Sequence, residues 1–322
     1  MPKAMAKSIF HSSQAVGHTS KTLPHLVQIA EARPRLPAWL RHGQTHFESV
    51  THLQADLRRL NLHTVCESAR CPNIHECFNR GAATFMILGN LCTRGCGFCS
   101  VPKANPRKVQ FELDPDEPEN VARMAAALHC RYVVITSVNR DELPDGGSHH
   151  WAATVRAVKS ALPDARVEVL TPDFNGDLTA VARVLDADPD VYNHNMETVS
   201  RLYKRVRPQA NYQQSLDVLR FAKQHRPQSL TKSGLMVGLG ETPDEVHALL
   251  KDLREQGHAD VATIGQYLQP TRRNMPVHRY VTPAEFDAFR DHGLSLGFKM
   301  VFAGPLVRSS YMADMVSDEA RK

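Results

Sequence analysis

No apolar run in the 322 residues approaches the roughly 18 that a membrane-spanning helix needs, so the chain is expected to be soluble, with no membrane partner. Blocks of five or more like charges are also missing, and 39 Lys and Arg against 34 Asp and Glu leave a net charge of +5. That excess is too small and too evenly spread to argue for nucleic acid as a partner. The start of the chain lacks the apolar core of a secretory signal, which sets aside a secreted disulfide scaffold. There is no acidic residue before Glu31 and no arginine before Arg33. Organellar transit peptides share the first poverty but are rich in arginine, so residues 1–36 read as a flexible tail. The cytoplasm is the expected compartment and the mitochondrial matrix the lesser alternative.

What is present is enough apolar material, 42% of the chain, to exclude disorder and fill one large α/β domain or two ordinary ones. Val50, Leu53, Leu57 and Leu60 recur at helical spacing within Ser49–Leu62. From Ala82 onward short apolar runs alternate with amphipathic stretches, the pattern of successive βα units. Strands are expected at Thr84–Leu88, Tyr132–Ser137, Arg166–Leu170, Val191–His194, Lys232–Val237 and Val261–Gln266. Helices are expected at Pro118–Leu128, His150–Leu162, Leu178–Leu185, Tyr212–Gln224 and Thr242–Gln256. The last begins with Pro243, Asp244 and Glu245, residues suited to a helix N-terminus. Six strands with crossover helices predict an α/β fold, a partial (β/α)6 TIM-like barrel, too short for the closed eight-fold version. The expected domains are the tail 1–36, an N-terminal extension 37–81, the barrel 82–281 and a C-terminal extension 282–322. That extension holds a helix (Thr282–Leu296), a strand (Lys299–Ala303) and the tail GPLVRSSYMADM.

Six of the seven cysteines crowd into residues 66–99, which points to reduced thiols holding metal. Cys92, Cys96 and Cys99 form C-x3-C-x2-C in the loop after the first expected strand, where barrel enzymes keep their chemistry. Three soft thiolates on a tight loop can hold three corners of an iron–sulfur cubane, leaving one iron open to a small molecule. Gly95 and Gly97 would allow its close approach. A zinc knuckle, giving a binding module without catalysis, would want a fourth nearby ligand, and a Cys96–Cys99 redox pair would not need Cys92. Upstream, Cys66, Cys71 and Cys77 form a second triple, C-x4-C-x5-C, with His75 an optional local ligand. Cys130 stands apart and reads as a small buried hydrophobe.

The C-x3-C-x2-C spacing, with Phe98 before its last cysteine, resembles the signature of the radical S-adenosylmethionine enzymes, in which that aromatic packs by the adenine. The stretch Gly234–Glu241 is similar to that family's G-x-I-x-G-x-x-E pattern, with Met236 in place of isoleucine. Thr136, Ser137 and Asp145–Gly147 occupy the positions where the family holds the methionine amino group. Both cysteine triples together with Arg308-Ser309-Ser310-Tyr311 resemble the lipoyl synthase family within that superfamily. A biotin-synthase-like or methylthiotransferase-like sulfur inserter is the alternative that the second triple and the serines argue against.

The resemblance implies a radical-type barrel and two 4Fe-4S clusters: one on Cys92, Cys96 and Cys99, and an auxiliary one on Cys66, Cys71, Cys77 and Ser310, with Ser309 the adjacent candidate. It also implies S-adenosylmethionine as cofactor. The reaction would be radical insertion of two sulfur atoms, donated by the auxiliary cluster, at carbons 6 and 8 of a protein-bound octanoyl-lysine lying in a dry apolar channel. Glu168 at the third strand end, Asn195, Arg207 and Met236 would touch the cofactor, and Arg308 could meet a carboxylate. The implied partners are octanoylated lipoyl domains of 2-oxoacid dehydrogenase acyltransferases or the glycine-cleavage H protein. An electron donor such as flavodoxin or ferredoxin and an iron–sulfur carrier would also be needed.

Overall fold

The computed structural model describes residues 35–40, 48–69, 71, 73–79, 84–109 and 112–321. Most of the expected tail 1–36 lies outside them, as do the side chains of Val50, Leu53 and His75. One eight-stranded sheet runs in sequence order: β1 (His63–Thr64), β2 (Thr84–Ile87), β3 (Tyr132–Ser137), β4 (Arg166–Leu170), β5 (Val191–Asn193), β6 (Leu230–Val237), β7 (Val261–Gln266) and β8 (Met300–Gly304). β2 to β8 are all parallel, and β1 pairs antiparallel with β2. Seven parallel strands have six crossovers, carried by segments that include α4 (Glu117–Ala127), α5 (Ser148–Ala161), α6 (Leu178–Leu185), α8 (Tyr212–His225), α9 (Pro243–Glu255) and α10 (Pro283–Ser295). Among the described residues β8 does not pair with β1 or β2, so the barrel is partial.

The helix ends follow from local chemistry. Thr242 and Thr282 each close a capping box with the glutamate three residues on, followed by proline, and Asp177 accepts the first free N–H groups of α6. The strands alternate with period two. Phe85, Ile87, Val133, Ile135, Val167, Val169 and Tyr192 belong to the apolar core under the helices. The other face carries Thr84, Val134 and Glu168 in one register row, then Thr136, Leu170, Asn193 and Lys232. That face is the barrel interior, and much of it is polar.

One strand and four short helices depart from the sequence expectations. β8, expected as a short terminal strand beyond the six of the barrel, joins the sheet beside β7. The cysteine-bearing extension contains two short helices, α2 (Val65–Ser68) and α3 (Ile74–Asn79), after α1 (Glu48–Arg59). The segment after the serines ends in α11 (Ala313–Glu319), and α7 (Tyr203–Val206) is a further short helix. All four are too short to show helical periodicity.

Candidate functional site

The two cysteine sets lie beyond opposite ends of β2. The Cys92–Cys99 loop follows its last residue, after a turn in which Leu88 and Gly89 take positive φ. Backbone bonds fix this loop along its length. The Cys92 amide donates to Pro102 O (2.9 Å), that of Gly97 to Val206 O (2.8 Å) and that of Met275 to Gly97 O (3.0 Å). The Asn274 amide donates to Cys99 O (2.9 Å), and Lys103 Nζ to Cys96 O (2.9 Å). Burial pushes the Cys99 thiol up to about 12, with Cys96 and Cys92 adding to the effect. Cys96 is also raised by burial, with Arg207 pulling it back. A Cβ on Gly97 would meet Met275 Cγ at 2.9 Å, so the missing side chain lets Met275 pack close against the loop.

Around this loop stand buried polar atoms without partners: Ser137 Oγ, Asn195 Oδ1, Arg207 Nε and His194 Nε2. Such orphans are rare in a finished interior and mark a place built for a polar guest. Arg207 donates to the carbonyls of Asn195 (2.8 Å) and Met196 (3.2 Å). His194 places Nδ1 2.9 Å from Thr171 O, and burial with Arg207 nearby pushes it down to about 4. Met236 and Phe98 flank the apolar cluster on this side. Thr136, by contrast, donates to Leu170 O (3.0 Å). Asp145 caps α5, accepting from the amides of Gly147 and His149 (3.0 Å each). The glycine-rich motif ends in a turn device, Glu241 accepting from the amides of Gly238 and Leu239 (2.5 and 2.9 Å).

Some residues of this region were missed by the sequence reading. Arg94 bonds Asp141 (2.7 and 2.9 Å), Asp173 (2.6 Å) and Asn175 (2.7 Å), and although burial works against it this pairing holds Asp173 down to about 2. Glu197 is raised by burial, with Arg207 opposing, and has a φ of 65°. A positive φ at such a residue stores strain, a feature that concentrates at functional sites. Only the position of Arg94 inside the cysteine loop could have flagged it.

The expected strand-end placement of Glu168 is corrected. The residue sits in mid-strand, and its carboxylate accepts from Tyr132 Oη (2.7 Å), Asn193 Nδ2 (2.9 Å) and Lys232 Nζ (2.9 and 3.1 Å). Both oxygens are engaged by the chain itself, so the carboxylate ties β3, β4, β5 and β6 together across the interior. The barrel interior thus holds a buried ion pair at the register level of Thr84.

At the other end of β2, a cavity of about 830 Å³ is lined by Cys66, Cys71, Cys77, Thr84, Arg308 and Ser310, among others. α2 carries Cys66, the Cys71 amide bonds Cys66 O (2.9 Å), and α3 carries Cys77. Burial pushes the Cys66 thiol up to about 11, with Cys71 adding, and raises Cys71, with Arg308 pulling it back. The seventh cysteine, Cys130, also lines this cavity. The tail reaches it through the barrel. A Cβ on Gly265 would stand 2.0 Å from Val307 O, and one on Gly234 would stand 2.7 Å from Ser309 Oγ. Ser309 accepts from Asn195 Nδ2 (2.7 Å), on the side of the first thiol set, while Ser310 accepts from Thr84 Oγ1 (2.9 Å) and lines the cavity. Among the described residues no three His, Cys, Asp or Glu side chains gather closely enough for a single metal ion. The corners of a cubane, each holding its own iron, stand further apart than the ligands of one ion.

The Radical SAM superfamily matches residues 86–253, and the N-terminal domain of lipoyl synthase of that family matches residues 16–71. Lipoyl synthase of Rubrobacter xylanophilus is 54% identical over 286 residues, covering 89% of this chain and 88% of that protein. Lipoyl synthase of Thermus thermophilus is 52% identical over 298 residues, covering 91% of each. The chain belongs to the lipoyl synthase family. Among solved structures, Streptococcus suis SuiB superposes with a TM-score of 0.51 at 13% identity, covering 80% of this chain and 60% of SuiB, a likeness of fold alone. Among the described residues no helix is long and apolar enough to cross a membrane.

Proposed function

We propose that this chain is a lipoyl synthase that inserts two sulfur atoms into a protein-bound octanoyl-lysine. The observation that carries the proposal is the cavity shared by Cys66, Cys71, Cys77 and Ser310, which brings a second three-thiol set and a distant serine to one place. When bound, two 4Fe-4S clusters and S-adenosylmethionine supply the one-electron chemistry and the sulfur. Cys92, Cys96 and Cys99 hold one cluster. Phe98, Ser137, Asn195, Arg207 and Met236, with Thr136 behind them, surround S-adenosylmethionine, the unpartnered atoms of Ser137, Asn195 and Arg207 being its polar partners. Cys66, Cys71 and Cys77 hold the auxiliary cluster. Ser310 would be its fourth ligand: it lines the cavity with the three thiols, whereas Ser309 faces Asn195. An alkoxide suits soft cluster iron less well than a thiolate, which leaves that corner the easiest to open.

The enclosing barrel keeps solvent from a carbon radical. The division 1–36, 37–81, 82–281 and 282–322 separates tail, auxiliary ligands, barrel and serine segment. The substrates are octanoylated lipoyl domains of 2-oxoacid dehydrogenases or the glycine-cleavage H protein. A flavodoxin or ferredoxin gives electrons, an iron–sulfur carrier rebuilds the auxiliary cluster, and the setting is the cytoplasm.

The test combines anaerobically reconstituted protein, S-adenosylmethionine, reductant and an octanoyl-lysine peptide. Lipoyl product with about eight iron and eight sulfide per chain is expected. Iron-loaded protein that cleaves S-adenosylmethionine without inserting sulfur would remove the function, and about four iron per chain would remove the second cluster. Ser310→Ala should lower insertion while cleavage persists.

A further inference from the structure

Two of the five residues between Cys71 and Cys77 do more than space the thiols. Asn73 Nδ2 donates to Leu306 O (2.8 Å), four residues before Ser310, and Tyr311, one residue after it, donates its hydroxyl to the Glu76 carboxylate (3.0 and 3.1 Å from the two oxygens). The tail is therefore gripped on both sides of the serine, and both grips come from the segment between the auxiliary thiols. The Tyr311 ring is separately seated against Phe302, with centroids 6.3 Å apart and planes inclined by 15°. The remaining amide atom of Asn73, Oδ1, is buried without a hydrogen-bond partner, and Asn73 lines the cavity.

We infer that Asn73, Glu76 and Tyr311 form a two-point clasp whose task is to keep Ser310 at the auxiliary site whether or not its oxygen is bonded to metal. They are positioning residues, and the inference rests on the reading of that cavity as the auxiliary cluster site. A fourth ligand carried by a segment more than 200 residues away in sequence would drift once its bond opened, because the two walls share no short loop. A hydrogen bond to a carboxylate is stronger than one between neutral groups, so the Tyr311–Glu76 bond is the firmer of the two grips. The clasp lets the serine leave and return over a short distance.

The experiment follows iron release to a chelator from the reconstituted full chain. The parent carries Cys92→Ala, Cys96→Ala and Cys99→Ala, so that only the auxiliary site is filled. Tyr311→Phe keeps the ring on Phe302 and removes only the hydroxyl; it should speed iron loss about tenfold. Glu76→Gln, whose amide oxygen still accepts from Tyr311, should fall between the two. The Glu76→Gln/Tyr311→Phe double variant should release iron no faster than Tyr311→Phe alone, because both act on one bond. Adding Asn73→Ser to Tyr311→Phe should accelerate loss further, because it opens the other grip. Release from Tyr311→Phe at the parent rate, or fully additive effects of the Glu76 and Tyr311 changes, would overturn the clasp. A parent that takes up no iron would instead defeat the cluster reading, and the clasp with it.

Discussion

The two thiol sets are built in opposite ways. The Cys92–Cys99 loop is local: its cysteines follow one strand, and backbone bonds from Val206, Met275 and Pro102, with side-chain bonds from Lys103 and Asn274, fix its course. The Cys66–Cys77 set spans two short helices and the turn between them, after a two-residue strand paired antiparallel with β2, and its far wall is a tail from residues 306–311. The first is a rigid loop with unpartnered polar atoms waiting around it; the second is a cavity closed by a remote segment. Rigidity suits a site that must work repeatedly in one geometry, and a removable wall suits one from which atoms are taken.

The largest expected effect separates the sets outright. Cys99→Ala should abolish both S-adenosylmethionine cleavage and sulfur insertion, whereas Cys71→Ala should abolish insertion and leave cleavage measurable, as read from 5′-deoxyadenosine and peptide mass. Equal loss of both products in Cys71→Ala would erase the distinction. The next prediction concerns the barrel interior. Lys232→Met leaves the Glu168 carboxylate buried without its cation and should cost about 3–5 kcal/mol in denaturant unfolding. Glu168→Gln added to it should recover part of that loss, and no recovery would show that the pair is not the source.

A smaller effect belongs to the first set and not the second. His194 is held neutral down to about 4, against an ordinary 6.5 in the unfolded chain. The unfolded state therefore binds the proton first, and stability present above pH 6.5 is lost as pH falls toward 4, by roughly 3 kcal/mol. His194→Asn should flatten that part of the stability profile measured by denaturant unfolding; an unchanged slope would count against the burial argument. Smallest of all, Asn274→Ala removes the bond to Cys99 O and should cost about 1 kcal/mol, seen as faster iron loss from the first set alone.

The parts legible in the sequence are those whose chemistry demands local spacing. Both cysteine triples stood out because ligands on one short segment must recur at fixed intervals. The six expected barrel strands stood out because βα units repeat apolar runs, and each begins within two residues of its expected position. The Glu168–Lys232 pair was not legible, since its partners are 64 residues apart and each resembles an ordinary strand-end polar residue. Nor could spacing decide between Ser309 and Ser310. Adjacent residues share every sequence signal, and only their facing Asn195 and Thr84 respectively tells them apart. β1, two residues long, is too short for any period to register.

The tail contacts also order events in time. Asn73 meets Leu306, Glu76 meets Tyr311 and Thr84 meets Ser310 across separations of 233, 235 and 226 residues. A chain emerging from the ribosome presents Cys66, Cys71 and Cys77 first and the residues that complete their cavity only after every barrel strand has been made. The auxiliary site is thus a late product of folding, closed after the barrel exists, and contacts of such range form slowly. A nascent chain that received iron early would hold it on three thiols with no wall behind them, so the order of synthesis itself favours loading the finished protein.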